Sequence, residues 1–284
     1  MVSIRRLARK SYAYFMSNIW LGLPAWSLYI ITGIFGACLG SFAGVCIERL
    51  PRGKSIVYPA SHCTACTNRI KACENIPILS YLILKGRCSK CGTRISLLCP
   101  LVEIIMAVIS VFAWIHFKNP LEYFIYLLLF LLPMVIVTFI DLKHMIIPDV
   151  ISIPGIFIGI AVHTFLKIDG SYAASLLNSL VGILVGGGSL FLIAFFYEKI
   201  KKEEGLGGGD IKLIAMFGAF FGWKSVILIM LLSSILGSII GLITIIILKK
   251  DGKYAIPYGP FLVFAAILNL FWGQDIVRWY LRLF

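Results

Sequence analysis

Three aspartates stand where long apolar runs meet charged loops. Asp141 follows the apolar run 137–140, Asp149 follows Ile147-Pro148, and Asp210 closes the glycine run 207–209. If the apolar runs are helices that alternate across a membrane, Asp141 and Asp210 lie on different helices at one membrane depth and can face each other. Two carboxylates a few ångströms apart share one proton, because like charges in a low-dielectric site cannot both ionise. One carboxylate can then act as a base on water while the other donates a proton, which is aspartyl-protease chemistry.

Other interpretations of these acidic residues stay open on the residues alone. A single Asp at a helix end often caps the helix at the interface, and a carboxylate pair also suits an ion- or proton-coupled transporter. The glycines before Asp210 remove side-chain bulk and permit positive φ, so Gly207 and Gly209 would let a substrate backbone approach closely. No Gly-Lys-Ser/Thr follows this run, so it is not a phosphate loop.

Four of the eight cysteines form two Cys-x-x-Cys pairs in one basic loop. Cys63 and Cys66 make the first pair, and Cys88 and Cys91 make the second pair after 21 intervening residues. This spacing is close to the Cys₄ pattern of zinc sites, in which four thiolates surround the ion tetrahedrally. Zinc would fold a loop that is too small to hold a core. We therefore predict a structural Zn²⁺ site, with redox pairs or free thiols as the alternatives.

The elements that must position these residues are apolar helices. The chain has 284 residues, of which 60% are hydrophobic and 14% charged, and its mean hydropathy is +0.96. A soluble domain is about 25% charged, and about 20 apolar residues cross a bilayer. We expect an all-α, polytopic membrane helix bundle with about eight spans. The runs are 19–47, 99–117, 121–140, 147–166, 173–197, 211–222, 225–248 and 256–277. Since 211–222 is short, seven spans plus a re-entrant segment is the alternative.

The distribution of Lys and Arg predicts the orientation. The cysteine loop carries nine of them, whereas the internal loops on the other side hold only Lys118, Lys167 and Lys224. The positive-inside rule places the cysteine loop and the aspartates in the cytoplasm, although the basic N-terminus conflicts with this orientation. The same rule accounts for the net charge of +13. No basic stripe is interleaved with aromatic residues, so we expect membrane lipid and no nucleic acid among the partners.

Several motifs in a fixed order carry a family resemblance. They are Gly40-Ser41-Phe42, Arg49-Leu50-Pro51, the two cysteine pairs, the Glu-Asn-Ile-Pro-Ile-Leu-Ser-Tyr stretch 74–81, Pro100-Leu101-Val102-Glu103, Asp141 to Pro148-Asp149, the Gly-x-Gly-Asp-x-Lys stretch 207–212, and Pro257-Tyr258-Gly259-Pro260. From about residue 33 to 275 the chain resembles the bacterial type IV prepilin peptidases, which are membrane aspartyl peptidases of the GxGD type.

This resemblance implies a function and a role for each motif. The family cleaves the basic leader from prepilins and pseudopilins at the cytoplasmic face of the bacterial inner membrane. Many members then methylate the new N-terminal residue with S-adenosylmethionine. By position, Asp141 and Asp210 match the catalytic pair, for which no metal is required. Asp149, Gly207, Gly209 and Lys212 match supporting positions, and Cys63, Cys66, Cys88 and Cys91 match the metal-binding residues.

The resemblance also divides the chain and leaves some questions open. The expected parts are an N-terminal segment with the first transmembrane helix (1–47), a cytoplasmic Cys₄ zinc-binding domain (48–98) and a multi-helix transmembrane aspartyl peptidase domain (99–284). Ala43-Gly44 stands where the family usually has Asn, and Cys99 where an aromatic residue is common. Both departures bear on methylation rather than on the aspartates. No glycine-rich nucleotide-binding motif locates the methyl donor, and the oligomeric state is open.

Overall fold

The computed structural model describes residues 24–63, 65–117, 119–202, 207–248 and 256–282. Within these ranges the chain is helical and forms no strand, only two isolated β-bridges in the cysteine loop. The helices are α1 (Ala25–Arg49), α2 (Leu79–Ile83), α3 (Leu98–Phe117), α4 (Pro120–His144), α5 (Asp149–Phe165), α6 (Tyr172–Lys201), α7 (Gly208–Leu248) and α8 (Gly259–Leu281). The prediction of an all-α membrane bundle is confirmed. The predicted first run begins at residue 19, and its part before residue 24 lies outside the described ranges.

Six of the described helices are long and apolar enough to cross a membrane, and α5 is a shorter apolar helix. One of the six, α7, contains both predicted runs 211–222 and 225–248. Its 41 residues would extend about 60 Å as one straight helix, twice the hydrocarbon thickness of a bilayer. The break lies at Gly222, whose backbone is at φ 78° and ψ 174°. Glycine adopts this positive φ at little cost, so α7 is two apolar segments joined at Gly222.

The chain forms two compact units, Met1–Val135 and Ile136–Phe284. In the first unit, α1 packs along α3. A Cβ atom at Gly36 would meet the carbonyl oxygen of Met106 at 2.5 Å, and one at Gly40 would meet Cα of Glu103 at 2.5 Å. Small residues allow such close approach of membrane helices. The three-part division expected from the sequence stays a prediction.

In the second unit, α7 is the central helix and contacts α5, α6 and α8. Its first segment is enclosed, since Leu213, Phe217 and Phe220 are fully buried. At one place α6 and α7 touch through their backbones, at Gly182 and Gly218. The ends of α4, α5 and α7 that carry the acidic motifs, and the start of α8 at Gly259, belong to this unit.

A polar network ties α5 to the break in α7. The ring of His163 on α5 is fully buried. Its Nδ1 lies 2.8 Å from the carbonyl oxygen of Phe220, and its Nε2 lies 2.9 Å from Oδ2 of Asp169. The side chain of Asn178 donates to the same Asp169 oxygen at 2.8 Å, and its own Oδ1 accepts from the N–H of Trp223. Hydrogen bonds from α5 and α6 thus hold the broken turn of α7.

Candidate active site and metal centre

Asp141 lies at the end of α4 and is only 5% exposed. Its Oδ2 accepts a hydrogen bond of 3.0 Å from the backbone N–H of Gly259, the first residue of α8. A Cβ atom at position 259 would stand 2.5 Å from that same oxygen. The sequence assigned no site role to Gly259, and the only signal for it was the Pro-Tyr-Gly-Pro motif. The structure places this glycine directly on the candidate catalytic carboxylate.

Tyr258, the residue before Gly259, holds the start of α8 in place. The hydroxyl of Tyr258 is hydrogen-bonded to the hydroxyl of Ser233 at 2.8 Å and lies 3.4 Å from that of Ser234, both on α7. Ser233 is fully buried. The Pro-Tyr-Gly-Pro segment is therefore anchored to α7 on one side and to Asp141 on the other.

Asp210 lies in the first turn of α7 and is half-buried. Its N–H donates to the carbonyl oxygen of Gly207 at 3.0 Å. Ile147 links the two aspartates indirectly, because it contacts both Gly209, the neighbour of Asp210, and Gly259, whose N–H binds Asp141. Asp141 and Asp210 are close enough for their charges to interact. The two carboxylates, 69 positions apart in the sequence, converge at one end of the second unit.

The glycines before Asp210 play different parts. A Cβ atom at Gly209 would meet Cβ of Ile147 at 2.9 Å, whereas one at Gly208 would meet nothing within 4 Å. One at Gly207 would lie 3.2 Å from Oδ2 of Asp210. At Gly209 the missing side chain makes room for Ile147, and the substrate approach expected from the sequence stays a prediction. A side chain at Gly207 would therefore come up against the Asp210 carboxylate.

Asp149 is engaged in an ion pair. Nζ of Lys212 lies 2.7 and 2.8 Å from its two carboxylate oxygens. The pair joins the start of α5 to the first turn of α7, and both side chains are about half-exposed. This arrangement aligns the two helix ends that flank Asp210 and gives Asp149 a partner outside the Asp141–Asp210 pair.

The four paired cysteines form one cluster in the first unit. The sulfurs of Cys63, Cys66, Cys88 and Cys91 all lie within 4.8 Å of one another. Two separations are 3.8 Å, between Cys63 and Cys91, and 4.0 Å, between Cys66 and Cys88. A Zn–S distance of about 2.3 Å in a tetrahedron predicts sulfurs about 3.8 Å apart. The cluster therefore fits a metal ion of this kind.

The local backbone explains how the two pairs come together. The N–H of Cys63 donates to the carbonyl of Asn68, and the N–H of Cys88 donates to that of Thr93, both at 2.9 Å. The two loops thus fold alike, each closed by an isolated bridge. Side-chain and backbone hydrogen bonds with Thr93 lower the pKa of the Cys91 thiol to about 6. A thiolate is the form that binds metal.

This fold and these sites define a class: a multi-pass membrane protein with two neighbouring aspartates at helix ends and a four-cysteine cluster that could hold a metal ion. The bacterial peptidase A24 N-terminal domain matches residues 34–117, and the type IV leader peptidase family matches residues 125–242. The chain belongs to the type IV leader peptidase family. No solved structure matches it significantly.

Relatives of similar length support this membership. The prepilin leader peptidase/N-methyltransferase of Legionella pneumophila is 33% identical, over 90% of this chain and 95% of the relative. The proteins of the same name from Pseudomonas putida and Pseudomonas aeruginosa are 34% and 33% identical. They cover 91% and 89% of this chain, and 96% and 93% of their own lengths. Nothing in these matches supports the transporter alternative.

Proposed function

We propose that this protein is a membrane aspartyl endopeptidase that removes the basic leader from type IV prepilins or pseudopilins. The observation that carries this proposal is that Asp141 on α4 and Asp210 on α7 lie near each other, with Ile147 in contact with Gly209 and Gly259 beside them. The names of the relatives supply the substrate class. A carboxylate pair at helix ends supplies the chemistry that peptide hydrolysis needs.

In the proposed reaction the two carboxylates share one proton. The ionised carboxylate takes a proton from water, whose oxygen then attacks the scissile carbonyl carbon. The protonated carboxyl first supports the carbonyl oxygen, and a proton then passes to the departing amine as the C–N bond breaks. One water molecule is added across the peptide bond, and the pair regains its single shared proton.

Neighbouring groups would hold this pair in place. The N–H of Gly259 binds Oδ2 of Asp141, so contact with water or substrate is proposed for the other oxygen. The ion pair between Lys212 and Asp149 would fix the helix end that carries Asp210. Gly259, Lys212 and Asp149 are thus proposed as positioning residues, and the two other aspartates as the reacting groups.

We place this reaction at the cytoplasmic face of the bacterial inner membrane. The support is the excess of Lys and Arg in the cysteine loop and in the other loops assigned to that side. By the same rule the basic leader of such a substrate is expected to stay on that side of the membrane.

The four clustered cysteines are proposed to hold a structural Zn²⁺. Their separations fit a tetrahedral thiolate site. Bound zinc supplies folding energy to a loop that has little apolar core. The proposed hydrolysis assigns the ion no part in the peptide chemistry.

A second activity follows from the names of the relatives, which join leader peptidase with N-methyltransferase. We propose that the new N-terminal residue of the cleaved substrate is then methylated. S-adenosylmethionine supplies the methyl group: the free amine bonds to the methyl carbon, the C–S bond breaks towards sulfur, and the nitrogen loses a proton to solvent.

The test is cleavage of a purified prepilin by the full-length protein in liposomes. Asp141→Asn and Asp210→Asn should each lower the single-turnover rate by about 10²–10⁴-fold, the usual contribution of an acid or base. Asp275→Asn is the matched control and should retain the wild-type rate, since Asp275 is exposed and, among the described residues, pairs only with Arg278. Retention of wild-type cleavage by either of the first two variants would remove that residue from the mechanism. Circular dichroism checks that every variant keeps its helices.

A further inference from the structure

Helix α2 presents an apolar face that the described part of the chain leaves open. None of its five residues is buried, and Leu79, Leu82 and Ile83 are 56%, 64% and 76% exposed. Positions three and four apart lie on one side of a helix, so these three side chains form a single apolar face. A helix of one or two turns is unstable in water by itself, and a second surface that covers this face would stabilise it.

Two contacts place the start of α2 inside the ends of the neighbouring spans. The N–H of Ile78, the residue before α2, donates to Oε2 of the buried Glu103 at 2.7 Å. Glu103 lies five residues beyond Leu98, where α3 begins, or about 8 Å along the helix. Glu103 is also hydrogen-bonded to the side chain of Ser41, eight residues or about 12 Å before the end of α1 at Arg49. Since α2 is itself only about 8 Å long, it stays at the depth of the first turns of α3.

The neighbouring span faces lipid at this depth. On α3, Leu101 and Ile104 stand on either side of Glu103 in the sequence, and both side chains are exposed. They belong to a helix that is long and apolar enough to cross a membrane, so their exposed side chains meet hydrocarbon. The open face of α2 is therefore fastened beside a surface that contacts the bilayer.

The charges beside α2 suit an anionic lipid surface. Lys85 and Arg87 follow the helix directly, and both side chains are exposed. Glu74 is the only acidic residue in the sequence between Arg49 and Glu103. Basic residues next to an apolar helical face are typical of a segment that lies in the membrane interface, and the cytoplasmic leaflet carries anionic phospholipid. A peptide with a basic leader would be repelled by the same charges, so lipid fits this surface better than the substrate does.

We propose that α2 is an interfacial anchor. Its open face enters the cytoplasmic leaflet of the membrane, and Lys85 and Arg87 bind the headgroups of anionic phospholipids. The stretch 74–81, which has no part in the proposed hydrolysis, supplies the turn and the first residues of this anchor. The inference does not depend on the chemistry of the aspartates.

The anchor continues directly into the second cysteine pair. The N–H of Gly86 donates to the carbonyl of Tyr81 at 2.9 Å, and the carbonyl of Gly86 accepts from the N–H of Ile95 at 2.8 Å. Gly86 has a positive φ of 67°, and a Cβ atom there would meet the hydroxyl of Tyr81 at 2.7 Å. The bridge that closes the second cysteine loop begins at the next residue, Arg87. Insertion of α2 therefore holds the second cysteine pair at the membrane surface.

Photo-crosslinking in the full-length protein tests the insertion. The photoreactive residue benzoylphenylalanine is introduced at position 83, and the protein is illuminated in liposomes of phosphatidylethanolamine and phosphatidylglycerol. Intact-protein mass spectrometry should show lipid adducts at position 83 in clear excess over the same probe at position 90. Lys90 is also exposed but lies beyond the anchor, within the second cysteine pair. Equal yields at the two positions would overturn the proposal, and so would a crosslink from position 83 to added prepilin in place of lipid.

Amide hydrogen exchange of residues 79–87 tests the choice of lipid. Exchange should be about 30-fold slower in liposomes that contain phosphatidylglycerol than in pure phosphatidylcholine, the combined effect of two basic residues at an anionic surface. Lys85→Gln with Arg87→Gln should remove most of this difference, whereas Arg69→Gln with Lys90→Gln is the matched control and should keep it. Circular dichroism checks that each variant keeps its helices. Equal exchange of the wild type in the two lipids, or an equal loss in the control, would overturn the proposal.

Discussion

The backbone N–H of Gly259 donates a hydrogen bond to Oδ2 of Asp141 across 118 positions of sequence. Gly259 is the first residue of α8, and the residue before it, Tyr258, is hydrogen-bonded to Ser233. The donor N–H is therefore held in place, and it orients the buried carboxylate. A side chain at position 259 has no space beside Asp141. The requirement for glycine here comes from close approach to the carboxylate.

Gly259→Ala should therefore displace the Asp141 carboxylate. We expect about a 10²-fold loss in the prepilin cleavage rate, the effect of a shift of about 1 Å in a reacting group. Gly188→Ala is the control, because a Cβ at that helical glycine meets nothing within 4 Å. Rates from single-turnover cleavage in liposomes decide the comparison. Cleavage by Gly259→Ala at the rate of the control would show that this contact does not position Asp141.

The ion pair between Lys212 and Asp149 predicts a rescue experiment. Lys212→Asp and Asp149→Lys should each lower cleavage by less than about ten-fold, since exposed ion pairs contribute about 0–1 kcal/mol. The reversed pair, Asp149→Lys with Lys212→Asp, should recover most of the loss because it restores the attraction. The rates of the four proteins form a double-mutant cycle. An inactive reversed pair would mean that Asp149 takes part in the chemistry.

The cysteine cluster predicts the metal content. Purified full-length protein should carry one zinc per chain by inductively coupled plasma mass spectrometry, and Cys63→Ser or Cys88→Ser should remove it. Cys73→Ser is the control, since Cys73 lies outside the cluster. Prepilin cleavage should persist in the zinc-free variants because both aspartates lie in the second unit. Full zinc occupancy in Cys63→Ser would rule out the four-thiolate site.

Asp169 predicts a dependence of stability on pH. Although burial opposes it, hydrogen bonds from Asn178 and His163 hold the pKa of Asp169 below its usual value of 3.8. A carboxyl with a lowered folded-state pKa stabilises the fold above its unfolded pKa, and this contribution is lost as pH falls through the folded value. Asp169→Asn should lower the thermal midpoint in detergent at pH 7.

The same variant should lose less of its remaining stability than the wild type between pH 5 and acid pH, because the titrating group is gone. Asp275→Asn is the control, since Asp275 is 70% exposed and makes only a 3.7 Å pair with Arg278. Thermal unfolding followed by circular dichroism at each pH gives the comparison. Parallel pH profiles for Asp169→Asn and the wild type would contradict the role of this carboxylate.

Much of the fold follows from the sequence because membrane helices are encoded by continuous apolar runs. The two runs 211–222 and 225–248 are predicted from the sequence and present as the two segments of α7. What joins them is a backbone conformation at Gly222 that depends on Asn178 and, through Phe220, on His163. Contacts between residues more than 40 positions apart leave no periodic signal, so this network could not be predicted.

The candidate site, too, could be predicted only in part from the sequence. The types and spacing of the cysteines predict a cluster, and the structure brings their sulfurs together. The placement of Asp141 and Asp210 at helix ends predicts their convergence. The part played by Gly209 could not be predicted, because its environment is set by Ile147 on a different segment. The hydrogen bond to Asp141 could not be predicted either, because its donor is the backbone N–H of Gly259, 118 positions away.

Two short helical segments begin beside the candidate catalytic aspartates, and their length affects the surrounding lipid. Helix α5 has 17 residues, and the first segment of α7, residues 208–221, has 14. At 1.5 Å per residue they measure about 25 Å and 21 Å, against a hydrocarbon layer of about 30 Å. Hydrogen bonding of His163 to the carbonyl of Phe220 locks them together at one end. The first segment of α7 is enclosed, so lipid meets α5, and a span shorter than the hydrocarbon layer favours local thinning that draws headgroups and water toward its ends.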